Sequence, residues 1–162
     1  MVRLSKRLTP HAGEVKENVG VLPPREERVR EMANKVLIVD DTETMRLAEQ
    51  MMLAGEGYEI AVADDGVDAL DKIARSRPDL ILMDIMMPRM DGIECCRRIK
   101  GDDGLKDIKV VMVTTKSEYE RVKEAFAAGC DDYVTKPIDK AELISKLRDL
   151  MKFVSLRELL RS

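Results

Sequence analysis

The chain has 162 residues, of which 44% are hydrophobic, and its formal net charge is −3 at pH 7. This length suits one domain with a buried core, and the near balance of charge argues against a nucleic-acid-binding protein, which usually carries a basic patch. Charged residues interrupt each apolar run well before the ~20 residues that a membrane span needs, and the chain does not begin with the apolar stretch of a signal peptide. We therefore expect a soluble, cytoplasmic protein.

Residues 1–33 differ in composition from the rest of the chain. They contain a Pro23-Pro24 pair and many charged residues but no sustained apolar period, which predicts a flexible N-terminal extension. Two interpretations stay open. Either the extension is present in the native protein, or Met32 is the biological start and residues 1–31 are absent from it.

Residue types that often carry chemistry are scarce in the remainder of the chain. The sole histidine, His11, lies in the extension, so histidine-based catalysis is not expected in the domain that follows. The cysteines match no zinc or redox motif, and their odd number argues against a set of disulfides. They are Cys95, Cys96 and Cys130. We expect plain buried or half-buried thiols.

From residue 35 onward, short apolar runs alternate with stretches of helical period. The runs are rich in β-branched residues and apolar on both faces, which is typical of strands in a parallel sheet covered by helices. Predicted strands lie at residues 35–39, 58–63, 80–83, 110–113 and 133–135. Predicted helices lie at residues 43–56, 66–76, 92–100, 118–128 and 139–151. The alternation predicts an α/β domain over residues 34–151, with a doubly wound five-stranded parallel sheet flanked by five helices.

Polar side chains stand where four of the predicted strands end. They are Asp40, Asp41, Asp84, Thr114 and Lys136. Because the carboxyl ends of parallel strands share one edge of a sheet, and ligands bind in the crevice there, we expect these groups to meet. Three clustered carboxylates repel one another and raise their pKa values unless cations are present. Mg²⁺, which takes oxygen ligands, would together with the lysine bring the formal charge of the site to zero.

The motifs around these residues resemble the receiver domain of bacterial response regulators. They are Val39-Asp40-Asp41, residues 83–92, Val113-Thr114-Thr115 and Tyr133-Val134-Thr135-Lys136-Pro137. All four occur in the family's order, and the resemblance extends from about residue 35 to residue 151. It implies a flavodoxin-like fold with strand order 2-1-3-4-5. It also implies a stand-alone, chemotaxis-regulator-like receiver of two-component signalling.

The resemblance further implies which residues accept the phosphoryl group and which bind the metal. Asp84 would be the phosphoacceptor, a carboxylate nucleophile that forms a mixed anhydride, and Lys136 would assist it. Asp40, Asp41 and Asp84 would ligate Mg²⁺ together with the backbone carbonyl of Met86. No other cofactor is implied.

The family's conformational switch maps to two further positions. Thr114 matches the hydroxyl that moves to the phosphoryl oxygen, and Tyr133 matches the aromatic residue that turns inward with it, forming a two-state element. For Tyr133, an edge-strand aromatic that packs against the fourth helix is the alternative interpretation. The family pattern also implies a cis peptide bond between Lys136 and Pro137.

Residues 152–162 carry apolar residues at helical spacing. They are predicted either to extend the last helix or to form a short amphipathic helix of their own, which packs loosely on the domain or contacts a partner or a second copy. Because these residues are too few for an output domain, we expect a separate downstream protein to bind the face built by the fourth helix, fifth strand and fifth helix. The expected phosphoryl donor is a histidine kinase or a histidine phosphotransfer protein, and neither nucleic acid nor membrane is expected as a partner.

The favoured function is a single-domain response regulator, which is a phosphoacceptor rather than a multiple-turnover enzyme. One alternative is an adaptor that keeps the receiver fold but is not phosphorylated. Another is a Mg²⁺-dependent phosphohydrolase with an aspartate nucleophile. The hydrolase is disfavoured because the paired acids read Asp40-Asp41-Thr42, and Met86 stands where such an enzyme would place a general acid.

Overall fold

Strands and helices alternate along the chain in the computed structural model, which describes Pro24 and residues 34–161 apart from the side chains at positions 158 and 161. The strands are β1 Lys35–Val39, β2 Glu59–Ala63, β3 Leu80–Asp84, β4 Lys109–Thr114 and β5 Asp132–Thr135. The helices are α1 Glu43–Leu53, α2 Gly66–Arg75, α3 Gly92–Lys100, α4 Tyr119–Ala127 and α5 Lys140–Arg161, and a 3₁₀ turn at Lys116–Glu118 precedes α4. Apart from Pro24, the extension predicted at residues 1–33 lies outside the described residues.

The strands form one parallel sheet in the order β2-β1-β3-β4-β5. This order confirms the flavodoxin-like fold that the resemblance implied. The carboxyl ends of neighbouring strands are in register, since Val39 pairs with Met83 and Thr114 pairs with Thr135. The polar groups that follow these strands therefore start from one edge of the sheet.

Successive side chains of each strand enter different apolar layers. In β3, Ile81 and Met83 pack in a layer shared with α2, α3 and α4, whereas Leu80 and Leu82 pack in a layer shared with α1 and α5. Alternate residues of a strand point to opposite faces, so both faces of the sheet are covered and the doubly wound prediction is confirmed. By the same alternation, Asp84 follows Leu82 on the side of α1 and α5.

Two helix ends differ from the sequence prediction by more than one residue. Helix α1 ends at Leu53, three residues early, because Gly55 and Gly57 adopt φ values of 82° and 85°, in the left-handed region that ends helices. Helix α5 continues through Arg161, which corresponds to the helix-extension alternative for residues 152–161. No glycine or proline follows Pro137, so no residue that breaks helices stops it earlier.

The three thiols are free and buried, as predicted. Burial raises the pKa of Cys95 and Cys130 to about 12 and that of Cys96 to about 11. They are therefore neutral at physiological pH and act as small apolar groups in the core.

Within the described part of the chain, none of the helices combines the length and the apolar character that crossing a membrane requires.

Gly92, the first residue of α3, lies directly against the backbone of the strand end that carries Asp84. Its N–H donates to the Ile85 carbonyl at 2.8 Å. A Cβ on Gly92 would collide with the Asp84 carbonyl oxygen and lie 2.9 Å from the Cε of Met112. The absence of a side chain is what lets α3 start this close to β3.

Gly92→Ala is therefore expected to lower the free energy of unfolding by about 1–3 kcal/mol, because overpacking forces β3 and α3 apart. Urea denaturation measures the change. Gly104→Ala is the matched control, since a Cβ there meets only the flexible side chain of Asp102. Equal losses in both variants would contradict this account of Gly92.

Candidate functional site

Three aspartates cluster at the carboxyl edge of the sheet. Asp40 and Asp41 directly follow β1, and Asp84 is the last residue of its neighbour β3. One carboxylate oxygen from each lies within 4.8 Å of the others. Asp40 is fully buried and Asp84 is 6% exposed, whereas Asp41 is exposed. The backbone bends at Asp41, and Asp40 Oδ1 accepts a hydrogen bond from the Thr42 N–H at 2.8 Å.

Lys136, which follows β5, reaches across β4 to two of these carboxylates. Its Nζ lies 3.1 Å from Asp84 Oδ2 and 3.3 Å from Asp40 Oδ2. By strand alternation it shares the α1 and α5 side of the sheet with Val134, which is the side that Asp84 also occupies. The peptide bond between Lys136 and Pro137 is cis, as the resemblance implied.

The charges of the cluster are not fully compensated by the lysine. Burial raises the pKa of Asp84 to about 6; the hydrogen bond and charge of Lys136 oppose this rise, and the negative charge of Asp40 adds to it. Burial acts to lower the pKa of Lys136, but its bonds to Asp84 and Asp40 outweigh burial and leave it above its usual value. Three carboxylates and one ammonium leave the site with a net negative charge. The clustered carboxylate oxygens are hard ligands, which suit a divalent cation such as Mg²⁺.

The other predicted site residues make different contacts. The Thr114 hydroxyl, at the end of β4, donates to Glu118 Oε2 at 3.3 Å and to the Thr115 carbonyl at 3.2 Å. The Met86 backbone N–H donates a hydrogen bond to the Asp84 carboxylate, which opposes the rise that burial causes in the pKa of that group. The metal role of the Met86 carbonyl stays a prediction.

Tyr133, in β5, packs against α4. Its ring lies edge-on to Tyr119 and Phe126, with centroid distances of 6.4 and 6.0 Å. Lys146 of α5 places its Nζ 5.1 Å from the centre of the Tyr133 ring, in a cation–π arrangement. This is the packing that the alternative interpretation of Tyr133 described, while its switching role stays a prediction.

Comparison with known proteins decides the family. The sequence model of the family described as the response regulator receiver domain matches residues 36–148. The chain belongs to this family.

Named relatives and solved structures agree with the assignment. The response regulator MprA of Mycobacterium tuberculosis is 37% identical over 121 residues, which is 75% of this chain and 52% of that protein. The chemotaxis response regulator CheY4 of Vibrio cholerae has a TM-score of 0.68 at 32% identity, covering 73% of this chain and 98% of that one. The signal receiver domain of a histidine kinase from Syntrophus aciditrophicus has a TM-score of 0.71 at 34% identity, covering 75% and 92%.

The chain spans about half the length of the curated relatives that it matches. The part that this chain has in common with these relatives is the receiver domain of two-component signalling. Phosphorylation and Mg²⁺ binding are general features of this family.

Two ion pairs, not foreseen from the sequence, brace the loop between β3 and α3 that borders the aspartate cluster of this receiver domain. Arg89, in the left-handed region with φ 64°, donates from Nε to Asp65 Oδ2 at 2.6 Å. Arg121 of α4 donates to Asp91 Oδ2 at 2.9 Å and approaches the Met86 sulfur at 3.2 Å. Both aspartates also cap helices, α2 and α3. The loop is thus tied to α2 on one side and to α4 on the other.

A fourth carboxyl near the cluster was also missed. Glu49 of α1 is 1% exposed, and neither of its carboxylate oxygens has a hydrogen-bond partner among the described residues. Burial raises its pKa to about 8; the charges of Asp40 and Asp84 add to the rise, and Lys136 opposes it. At neutral pH Glu49 is therefore mainly protonated and uncharged. The sequence carried a signal, because Glu49 interrupts the otherwise apolar stripe of α1.

Glu49 is expected to make stability fall as the pH rises. The folded state favours its protonated form, so its contribution is complete below the unfolded pKa of 4.5 and is lost as the pH approaches 8. The full loss is on the order of 5 kcal/mol, at 1.36 kcal/mol per pKa unit. Urea denaturation of the wild type and Glu49→Leu between pH 5 and 8.5 measures the difference.

In Glu49→Leu the extra fall in stability should disappear, and the variant should be more stable than wild type at pH 8, because a buried carboxyl without a partner is replaced by an apolar side chain. Glu59→Gln, at an exposed position, is the control and should keep the wild-type pH profile. A wild-type profile in Glu49→Leu would show that Glu49 does not titrate in this range.

Proposed function

We propose that this receiver domain accepts a phosphoryl group on Asp84 from a phosphohistidine donor, in a reaction that depends on Mg²⁺. The observation that carries the proposal is the Lys136 ammonium placed between Asp84 and Asp40. It holds a nucleophilic carboxylate and a metal-binding carboxylate side by side at the sheet edge, with Asp41 beside them.

The chemistry follows from these positions. An oxygen of the ionised Asp84 attacks phosphorus, the bond between phosphorus and the donor's imidazole nitrogen breaks, and the electron pair leaves with the imidazole. The product is an acyl phosphate. The Lys136 ammonium, 3.1 Å from Asp84 Oδ2, lies where it can bind the transferred group and share its charge.

Mg²⁺ bound by Asp40, Asp41, Asp84 and the Met86 carbonyl would supply the remaining positive charge that the phosphoryl group requires. The protein's own contribution is to hold the ligands in place. Asp40 is fixed by the Thr42 N–H, and its carbonyl accepts a hydrogen bond from Arg46 Nη1 at 2.7 Å. The site is therefore organised before the donor arrives.

We propose a phosphoacceptor and not a multiple-turnover enzyme. The position two residues after Asp84 is occupied by Met86, whose thioether cannot act as a general acid toward a leaving group. The phosphoryl group then stays on the protein until water removes it. That lifetime gives the modification a signalling role.

The output is proposed to pass through the face formed by α4, β5 and α5. Tyr119 and Phe126 of α4 are 61% and 46% exposed, and both contact Tyr133. The exposed cations Lys116, Lys123 and Lys140 on or beside these elements can bind acidic groups of a partner protein. Arg121 and Lys146 also lie here, but each is already paired with acidic side chains of this chain. A second copy of the chain is a further candidate partner.

Incubation with acetyl phosphate tests the proposal. We expect the wild type to gain one phosphoryl group in the presence of Mg²⁺ and none without it, and Asp84→Asn to gain none, because an amide is not a nucleophile here. Intact mass spectrometry measures the adduct. Asp103→Asn, which changes a fully exposed aspartate side chain, is the matched control.

The outcomes separate the candidate functions. An adduct that persists in Asp84→Asn would place the acceptor elsewhere. No adduct in the wild type under any condition would favour the adaptor. Rapid multiple turnover of a phosphate ester would favour the phosphohydrolase.

A further inference from the structure

A carboxylate outside the aspartate cluster holds the hydroxyl of Thr114. We propose that Glu118 is a positioning residue that keeps this hydroxyl directed to the start of α4 in the unphosphorylated chain, so that phosphorylation must displace it. The inference rests on the proposed function, because the phosphoryl group on Asp84 is the competitor for the hydroxyl.

The hydrogen bonds of Thr114 are the first support. Thr114 is fully buried, and its hydroxyl is shared between Glu118 Oε2 at 3.3 Å and the Thr115 carbonyl at 3.2 Å. A hydroxyl has one proton, and both distances exceed the roughly 2.5–3.0 Å that is usual between two oxygens in a hydrogen bond. A charged phosphoryl oxygen at a shorter distance is a stronger acceptor than either.

The direction of the Thr114 side chain is the second support. Along β4, Thr114 follows Met112, which packs in the layer shared with α2, α3 and α4. Asp84 follows Leu82, which packs in the layer shared with α1 and α5. Strand alternation therefore directs the two side chains to different sides of the sheet. For the hydroxyl to bind a phosphoryl group on Asp84, it must leave Glu118.

Glu118 has a structural task that connects this event to α4. Its carboxylate accepts the Thr115 N–H at 3.2 Å, and the Thr115 side chain accepts the N–H of Glu118 in return. This reciprocal capping box organises the 3₁₀ turn that leads into α4. One carboxylate therefore binds both Thr114 and the first turn before the helix.

The aromatic contacts continue the path to the surface. Tyr119, the residue after Glu118, begins α4, and its ring contacts that of Tyr133. When the Thr114 hydroxyl leaves Glu118, the Glu118 carboxylate loses a hydrogen-bond donor. This loss occurs next to Tyr119, the first residue of α4. Glu118 is thus placed to couple the phosphoryl group at Asp84 to the α4 end of the partner-binding face.

A double-mutant cycle tests the role of Glu118. Glu118→Ala should speed phosphorylation by acetyl phosphate with Mg²⁺ by about threefold to tenfold, the range to which the net contribution of one hydrogen bond converts. The reason is that the freed Thr114 hydroxyl becomes available to the phosphoryl group in the transition state. In a Thr114→Val background, Glu118→Ala should leave the rate unchanged.

Ser117→Ala is the matched control in the same turn. Ser117 lies 2.8 Å from the Thr115 hydroxyl, so its loss perturbs the turn without removing the bond between Glu118 and Thr114. We expect less than about a twofold change in rate, since surface changes of this kind have small effects. The inference would be overturned if Ser117→Ala gave the same rate gain as Glu118→Ala, or if the gain persisted in the Thr114→Val background. Either result would show that Glu118 acts only as a helix cap. No gain in Glu118→Ala would overturn it as well.

A measurement on unphosphorylated protein separates this inference from the proposed function. The ¹³C chemical shift of the Glu118 carboxylate should change on Thr114→Val and stay unchanged on Ser117→Ala. A wild type that takes no phosphoryl group but shows this change would refute phosphoacceptance and retain the hydrogen bond. A wild type that is phosphorylated but shows no change would refute the bond and retain phosphoacceptance.

Discussion

The position of the Lys136 ammonium between Asp84 and Asp40 is the interaction on which the site depends. It lies 3.1 and 3.3 Å from the two carboxylates, and without it they would repel each other in a buried setting. The strand order makes the contact possible, because β5 ends beside β4 and a lysine side chain spans one strand. The negative charge that the lysine leaves uncompensated favours the binding of a divalent cation. A bound cation in turn supports phosphoryl transfer.

The fold holds this charged cluster in place by burying both faces of the sheet. Strand β3 is held by apolar packing on both faces, through Leu80 and Leu82 on one and Ile81 and Met83 on the other. Asp84 is the last residue of this well-packed strand. The loop beyond it is tied down by Arg89 and Arg121. Glu118, in contrast, binds the Thr114 hydroxyl through one long hydrogen bond of 3.3 Å. The site therefore combines a firmly held acceptor with a hydroxyl that is held weakly.

Much of the fold and the charged centre could be predicted from the sequence. Parallel strands share an edge, so Asp40, Asp84 and Lys136 had to come close together. The contacts of Thr114 and Glu49 could not be predicted in the same way. Which acceptor a hydroxyl chooses depends on competing partners within a few ångströms, and a glutamate in a helix is normally expected at the surface. The pattern from Thr115 to Glu118 did carry a capping-box signature, but its link to Thr114 needed the structure.

The most direct test of the account is the melting temperature of the protein as a function of Mg²⁺ concentration at constant ionic strength. If the clustered aspartates form an under-compensated cation site, Mg²⁺ should raise the Tm of the wild type in a saturable manner, because a ligand that binds only the folded state stabilises it. The rise should be lost in Asp40→Asn. A wild-type Tm that does not respond to Mg²⁺, or an equal rise in Asp40→Asn, would contradict the account.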